Sequence, residues 1–256
     1  MTSSRITILA LALSAPLAAQ WLNHATPGIP RTPEGKPNLA APAPRAPDGK
    51  PDLSGLWTKV SPKYGRNIAA DLKPGDVQPW AEALVKQRDE DLGRGYMNVL
   101  CVPLGPGYTT AGDSTGAEML KIVQTPSLIV ILNPDLTYRQ IFMDGRALPG
   151  PGAQPWWYGY STGKWDGDTL VVETAGLRDG GWLDIIGSPQ TGAAKVIERF
   201  RRVNYGTMDI EVTVDDPKAY TKPWTVKFTQ RIMPDAELIE FICSENDTSP
   251  PHMVGK

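Results

Sequence analysis

The chain has 256 residues, of which 41% are hydrophobic and 21% charged, an ordinary composition for a soluble protein with a buried core. The formal net charge is −2, so no overall positive field attracts nucleic acid or an anionic membrane surface. Glycine and proline each occur 25 times, a content typical of many short strands joined by turns.

The first residues, MTSSRITILALALSAPLAAQ, have one arginine, an apolar run from Ile6 to Leu13 and small residues at Ala18 and Ala19. This pattern predicts a secretory signal peptide over residues 1–19. The run is shorter than the roughly 18 apolar residues that a membrane helix needs. We therefore expect a periplasmic or extracellular protein that does not insert into a membrane once the signal peptide is removed.

Residues 20–52 are rich in proline, which favours an extended arm over a helix. Two similar stretches, RTPEGKPNL (31–39) and RAPDGKPDL (45–53), each contain a Pro-x-Gly turn. Two short copies are too few to stack as a solenoid of repeats. The arm is expected either to lie along the folded domain or to tether it.

One helix is predicted over residues 76–92, DVQPWAEALVKQRDEDL. Asp76 is expected to cap it, and Trp80, Leu84 and Val85 lie along one apolar stripe.

Strand and turn patterns dominate from there to the C-terminus. In chain order the strand segments are MLKIVQ, LIVIL, TYRQIFMD, YGYSTGKW, DTLVVET, AKVIERFRRV, MDIEVTV, WTVKFTQRI and ELIEFIC. Short loops between them indicate an antiparallel meander, and eight or more such strands suggest a closed β-barrel. The predicted fold is mainly β, with a barrel domain over residues 53–247 that includes the helix, followed by a polar tail over 248–256.

Two hairpins can be aligned in register from the sequence. In the later one, a three-residue loop ending at a left-handed Gly206 pairs Arg201 with Asp209 and turns Glu198 inward, opposite Val212. This register sorts charged and apolar residues onto separate faces, which a one-residue slip would mix. In the earlier hairpin, an Asp-Gly loop pairs Trp165 with Asp168.

Cysteine and histidine are scarce. Cys101 and Cys243 are expected to form a disulfide in an oxidising compartment. The histidines are His24 in the arm and His252 in the tail, which disfavours a Ser-His-Asp or Cys-His nucleophile and a zinc site. With no dinucleotide or P-loop glycine motif, we predict no cofactor and no metal.

Two carboxylates are candidate catalytic groups if the protein is an enzyme, namely Glu198 and Asp184. An inward Glu198 among apolar neighbours suits a general acid or base. The alternative is a structural ion pair with an interior arginine such as Arg202 or Arg146.

Ligand binding is suggested by two aromatic loops, LPGPGAQPWWYGY (148–160) and LRDGGWLDIIGSPQTG (177–192), which could frame the barrel mouth or close it as core. Arg146 is placed to bind an anionic group or to form a salt bridge within its own turn. The candidate ligand-binding residues are Asp144, Arg146, Trp156, Trp157, Tyr158, Tyr160, Trp182 and Arg202.

Several stretches carry a resemblance to known proteins. DLSGLW resembles the Gly-x-Trp of the first strand of lipocalins, which implies a lipocalin-like (calycin) barrel whose tryptophan plugs one end. PDGKPDLSGLW, IFMDGRALP, GKWDGDTLVVET, VIERFRRV and VDDPKAYTKPW resemble a large group of uncharacterised secreted proteins from environmental bacteria. That group often has histidine around the positions of Gln190 and Lys195, and this sequence lacks both, so the resemblance implies no histidine chemistry here.

The sequence thus favours a secreted barrel protein that binds a small, partly apolar organic ligand in the barrel mouth. One alternative is a cofactor-independent enzyme such as an isomerase, hydratase, cyclase or hydrolase, in which Arg146 and Tyr160 stabilise developing charge. Another is a structural or interaction module. The sequence leaves the oligomeric state open.

Overall fold

The computed structural model describes residues 25–59, 62–91, 101–103, 105–106, 119–150 and 152–242. The predicted signal peptide, Cys243 and the predicted polar tail lie outside the described residues. In chain order the elements are β1 (Gly55–Lys59), a 3-10 turn (Pro62–Tyr64), α1 (Pro79–Glu90), β2 (Met119–Gln124), β3 (Leu128–Leu132), β4 (Tyr138–Phe142), β5 (Tyr160–Asp166), β6 (Thr169–Ala175), β7 (Gly181–Trp182), β8 (Pro189–Gln190), β9 (Lys195–Asn204), β10 (Thr207–Asp215) and β11 (Trp224–Ile232). Within these ranges, none of the helical segments has the length and apolar character needed to cross a bilayer.

Nine strands of the described chain close into a barrel in the order β1-β2-β3-β4-β5-β6-β9-β10-β11, and β11 pairs back with β1. β7 and β8 form a separate two-stranded ribbon between β6 and β9. Strands that follow one another in sequence are mostly neighbours in space, as short connections require. The predicted mainly β barrel is confirmed, and the described chain includes the predicted α-helix.

The odd number of strands in this ring dictates how they run. Strands that alternate up and down can close entirely antiparallel only if their number is even. β4 and β5 therefore run parallel, with Ile141 opposite Ser161 and Phe142 opposite Thr162. The other eight neighbouring pairs of the ring are antiparallel, so the predicted antiparallel meander is wrong at this one pair, which we call the parallel seam.

Residues 143–159 make the connection that the parallel seam requires. Two parallel strands cannot be joined by a tight hairpin, because the chain must return to the end of the barrel at which the first strand began. This segment, which we call the crossover, leaves β4 at one end and enters β5 at the opposite end. It contains most of the aromatic stretch that was expected to frame or close the barrel mouth.

The predicted register of β9 with β10 is confirmed: Arg201 lies opposite Asp209, and Glu198 lies opposite Val212. The turn differs from the prediction, because a register shift next to Thr207 lets Asn204 pair with Thr207. Gly206 does not adopt the left-handed conformation that a three-residue loop would have needed.

The β5–β6 hairpin is displaced by two residues from its predicted register. Asp166 pairs with Thr169 and Trp165 with Leu170. Gly167 has a φ of 59° at the first loop position, where a type II′ turn requires glycine. A shift of two residues preserves the side-chain period of a strand, so the predicted faces remain correct.

Helix α1 begins later than predicted. Pro79 occupies its first turn and Gln78 precedes it as the N-cap residue without a side-chain hydrogen bond. Asp76 instead pairs with Lys222 at 2.7 Å. Trp80 is 46% exposed, so the predicted apolar stripe is wrong, and Ala81 is the residue of this helix that is buried.

The predicted last strand, ELIEFIC, is not a strand over its described residues 237–242. β11 already pairs with β10 on one side and β1 on the other. Both edges of β11 are therefore occupied, and a further strand has no edge of β11 to join.

Inward-facing side chains of the strands pack the barrel interior. They form one cluster of buried residues that includes Trp57, Ile129, Ile141, Val212 and Phe228. Close-packed interiors leave few voids larger than a water molecule. The centre of the barrel is therefore a hydrophobic core with a few polar side chains inside it.

The two similar stretches of the arm form the same bend twice, and both bends dock on the barrel. Arg31 and Arg45 each donate to the carbonyl oxygen of the glycine four residues later, at 3.1 Å in both copies. Arg31 pairs with Asp235 at 2.6 Å, and Arg45 pairs with Asp168 at 2.7 Å. Leu53, at the end of the second copy, is 1% exposed and belongs to the core.

Replacing both arginines (R31A/R45A) should make the arm several-fold more susceptible to subtilisin, because both bends lose their barrel partners. The K36A/K50A variant is the matched control, since it alters the same bends and leaves both ion pairs in place. Digestion at neutral pH, followed by mass spectrometry of the fragments, measures the difference. Equal cleavage rates for the two variants would contradict the docking role of the arginines.

The same ion pairs predict an acid effect. Hydrogen bonds from Arg45 and Arg31 hold the pKa values of Asp168 and Asp235 below their usual range. The stabilisation is therefore complete above the unfolded aspartate pKa of about 3.9 and is lost as pH falls through the lower folded values. The protection factors of the arm amides, which correct for the intrinsic pH dependence of hydrogen exchange, should therefore fall below about pH 4 in the native protein and change less in R31A/R45A.

Candidate functional site

The crossover and the parallel seam together form a pocket of about 460 Å³. Its lining comes from the β3–β4 turn, β4, the end of the crossover and the start of β5, together with Pro103. Six aromatic side chains contribute to it: Tyr138, Phe142, Trp156, Trp157, Tyr158 and Tyr160. We call it the seam pocket, and its volume lies in the range of about 300–1,000 Å³ typical of small-molecule sites.

Backbone hydrogen bonds fix the end of the crossover against the end of β6. The Trp156 N–H donates to the Gly176 carbonyl at 2.9 Å, and the Arg178 N–H donates to the Trp156 carbonyl at 3.1 Å. Gly159 has a φ of 66°, and a Cβ there would lie 2.6 Å from the Thr174 side chain. Glycine is needed at this position both for its conformation and for the close approach.

Three aromatic rings meet on the outer side of the seam. The Phe142 and Tyr160 rings stack with centroids 5.1 Å apart, and Trp156 lies 5.4 Å from Tyr160. Alternation along the strands explains the arrangement, because Phe142 and Tyr160 both point away from the core. The seam thus presents contiguous aromatic surface to solvent.

Asp144 and Arg146 lie beside these rings at the start of the crossover. The Arg146 Nε lies 2.9 Å from one Asp144 oxygen and its Nη2 lies 2.5 Å from the other. The Arg146 Cζ sits 3.9 Å from the Phe142 ring centroid, and Nη1 donates to the Tyr160 hydroxyl at 3.1 Å. The hydrogen bonds from Arg146 hold the pKa of Asp144 below its usual range, so the two charges neutralise each other.

Tyr158 closes the other end of the pocket. Its hydroxyl lies 2.7 Å from the Thr137 hydroxyl and accepts from the Asn133 amide at 3.2 Å. Burial raises the pKa of Tyr158 well above its usual value. This hydroxyl is therefore neutral and anchors the β3–β4 turn.

A buried polar cluster lies on the core side of the seam. Arg139 and Glu198 form an ion pair in which both guanidinium Nη atoms donate to the carboxylate. Arg139 Nε also donates to the Ser161 hydroxyl at 3.1 Å, and Nη2 donates to the Thr174 hydroxyl at 2.8 Å. Arg139 is 2% exposed and Glu198 is 0% exposed. We call these four residues the seam cluster.

The seam cluster links four strands through one guanidinium. Arg139 comes from β4, Ser161 from β5, Thr174 from β6 and Glu198 from β9. Arg139 and Ser161 also belong to the lining of the seam pocket. This arrangement makes Glu198 part of a structural ion pair, with Arg139 as its partner rather than the Arg202 or Arg146 considered from sequence.

Asp184 lies outside the seam cluster, near helix α1, whereas Trp182 is buried in a small cluster against which Trp157 of the pocket lining packs. Asp184 is 0% exposed and accepts the N–H groups of Ile68 at 3.1 Å and Ser188 at 2.9 Å. Burial raises its pKa. The Arg88 guanidinium lies 4.4 Å from the Trp182 ring. These contacts hold the β7–β8 ribbon against the helix.

Arg202 closes the end of the barrel at which β1 begins. Its guanidinium lies 4.9 Å from the ring of Trp57, the tryptophan of the Gly-x-Trp motif. It donates to the backbone carbonyls of Asp52 and Tyr205. The donors of Arg202 are therefore engaged by the protein itself.

Sequence reasoning missed several residues of this site, namely Tyr138, Arg139, Gln140, Phe142, Ser161 and Thr174. One signal was present: within TYRQIFMD, the period of two places Arg139 on the same face as the buried Ile141. An inward arginine demands a buried carboxylate, and Glu198 was already assigned to the interior. Trp156, Tyr158, Tyr160 and their neighbours Asp144 and Arg146 are brought together as one region.

Removing one charge of the ion pair in the seam cluster should destabilise the protein strongly. R139M leaves the Glu198 charge buried without its partner and should lower the free energy of unfolding by about 3–5 kcal/mol. R139M/E198L removes both charges and should recover most of that loss. Urea denaturation measures both variants.

The exposed pair of Lys227 and Glu211, at 2.6 Å on the barrel surface, is the matched control. K227M should cost about 1 kcal/mol or less. Equal destabilisation by R139M and R139M/E198L would contradict the proposed balance of buried charges.

Asp184 should give the native protein a pH-dependent stability of a definite sign. Because the pKa of Asp184 is raised in the folded state, its contribution to the free energy of unfolding is complete below the pKa of an unfolded aspartate. That contribution is lost as pH rises through the pKa of Asp184 in the folded state. D184N should remove that decline from the unfolding free energy measured between pH 4 and 7 by urea denaturation. D89N, at an exposed position of α1, is the control and should show the same decline as the wild type. If the decline persists in D184N, a group other than Asp184 causes it.

Comparison with known proteins finds no matching family model, curated protein or solved structure. The barrel is established by its strand pairing, whereas the lipocalin-like assignment and the resemblance to a group of secreted proteins gain no support from these comparisons. Because Cys243 lies outside the described residues, its disulfide with Cys101 stays a prediction.

Proposed function

We propose that the protein binds a small, partly apolar organic molecule in the seam pocket. The observation that carries this proposal is the set of six aromatic side chains around one pocket of about 460 Å³. Aromatic side chains offer large apolar contact area together with polar edges, which suits recognition of a ring-containing ligand. Export to the periplasm or the cell exterior remains part of this proposal.

The proposed ligand site is the barrel wall rather than the barrel mouth. Inward-facing side chains pack the barrel interior, and the Gly-x-Trp end is closed by Trp57 and Arg202. The seam differs because β4 and β5 pair at only two described positions. Aromatic side chains from the crossover flank the strands where that pairing stops.

Binding is favoured over catalysis by the burial of both candidate acids. Glu198 and Asp184 are each 0% exposed, and Glu198 accepts two hydrogen bonds from Arg139. A general acid or base must come within hydrogen-bond reach of the substrate. The seam pocket offers a surface for recognition, and neither carboxylate contributes to its lining.

The neutral fluorescent probe N-phenyl-1-naphthylamine tests this function. The wild-type protein should bind it and raise its emission, and W156A should weaken binding roughly tenfold because a central aromatic contact is lost. Fluorescence titration yields both dissociation constants. Mass spectrometry of small molecules that co-purify with the two proteins gives a second readout, with the natural ligand depleted in W156A.

W80A is the matched control, because Trp80 is 46% exposed on α1 and Trp156 is 40% exposed at the seam. W80A should bind the probe as the wild type does. No binding by the wild-type protein, or equal losses in W80A and W156A, would overturn the proposed function.

A further inference from the structure

We infer that the ligand of the seam pocket is an uncharged ring compound with hydroxyl groups along its edge, the chemistry of a saccharide unit. This inference rests on the proposed binding function and adds to it the class of ligand. It follows from the charges, the free polar groups and the exposed aromatic faces of the pocket.

Two arginines at or beside the pocket in the described chain are already paired with carboxylates. Among its described lining residues, Arg139 is the one with a formally charged side chain, and that charge is neutralised by Glu198. Beside the pocket, Arg146 is bound in a bidentate manner by Asp144. At either arginine, an anion would have to displace a carboxylate that is already paired at hydrogen-bond distance. Arg178 lies at the pocket edge with its Cζ 4.8 Å from the centroid of a lining tryptophan ring, so its guanidinium is in contact with an aromatic face.

A cationic ligand is disfavoured for a different reason. Aromatic faces attract ammonium and guanidinium groups, but one of these faces is already used by the protein. The Arg146 Cζ lies 3.9 Å from the Phe142 ring centroid, and Arg146 Nη1 contacts the Tyr160 hydroxyl. A second cation in the pocket would approach this guanidinium, and like charges repel.

Uncharged polar groups remain available at the pocket. Within the described chain, the Gln140 amide and the Tyr138 hydroxyl make no side-chain hydrogen bond, and both residues are exposed. The Tyr160 hydroxyl accepts from Arg146, which leaves its own proton to donate. The Gln140 amide supplies both a donor and an acceptor. A ligand hydroxyl group can therefore accept from its N–H or donate to its carbonyl oxygen.

The aromatic faces match the remaining part of such a ligand. Tyr138 is 61% exposed and Trp156 is 40% exposed, so these rings present apolar surface at an open site. A saccharide ring has an apolar C–H face and a rim of hydroxyl groups. Its face can cover an aromatic ring while its rim reaches the Gln140 amide and the tyrosine hydroxyls, so each part of the ligand meets a matching group.

Two measurements test this inference. One asks whether uncharged saccharides bind, and the other compares two aromatic probes that differ in charge. Isothermal titration with maltotriose, cellotriose and xylotriose should give a millimolar or tighter dissociation constant for at least one of them. 2-Naphthol, which is neutral at pH 7, should bind about tenfold more tightly than 2-naphthalenesulfonate. Q140A should weaken saccharide binding about tenfold, because a hydroxyl group of the saccharide loses its amide partner.

Q87A, at an exposed glutamine of α1, is the control and should bind the saccharide as the wild type does. If N-phenyl-1-naphthylamine binds while none of the three saccharides does up to 10 mM, a concentration on the order of the weakest useful affinity, the inferred ligand class is wrong and the binding function stands. Tighter binding of the sulfonate than of 2-naphthol has the same consequence. If the fluorescent probe also fails to bind, the binding function itself is wrong.

Discussion

The ion pair between Arg139 and Glu198 secures the junction of β4 and β5, which has the fewest paired positions among the described pairs of barrel strands. A ring of nine strands must contain a parallel pair, and here β4 and β5 pair at two described positions. Backbone bonds alone therefore hold this junction over a short length. Arg139 adds side-chain bonds to Ser161, Thr174 and Glu198, so one guanidinium ties β4 to the three strands that follow it in the wall.

The same constraint accounts for the pocket. A parallel pair requires a crossover, and this crossover ends in aromatic residues that lie beside β4 and β5. Arg139 and Ser161 contribute both to the seam cluster and to the pocket lining. The odd number of strands thus leads to the parallel pair, and the parallel pair leads to the crossover and its aromatic surface. The arm and the contact between Trp57 and Arg202 secure the barrel elsewhere, and at the seam several aromatic side chains face solvent together.

Much of the fold could be predicted because it follows from local periodicity. Charge pairing between Arg201 and Asp209 fixed the β9–β10 register, and alternation placed Glu198 in the interior. The parallel seam could not be predicted in this way, because it depends on the total number of strands in the ring, and the predicted strand after β11 does not form in the described residues. The partner of Glu198 was missed for the same reason: Arg139 reaches it across two intervening strands. Four of the six aromatic residues of the pocket were predicted from the composition of their loop, while their place in the wall followed only from the crossover.

The seam cluster shapes the pocket. The most direct test of this claim is the affinity of the R139M/E198L variant, which lacks both buried charges, for the fluorescent probe. R139M/E198L should remain folded by circular dichroism, because two apolar side chains replace two buried charges. Its affinity for N-phenyl-1-naphthylamine should nevertheless fall about tenfold, since β4 and β5 lose the bonds that align their aromatic residues. A folded double variant that binds the probe with the affinity of the wild type would contradict the account.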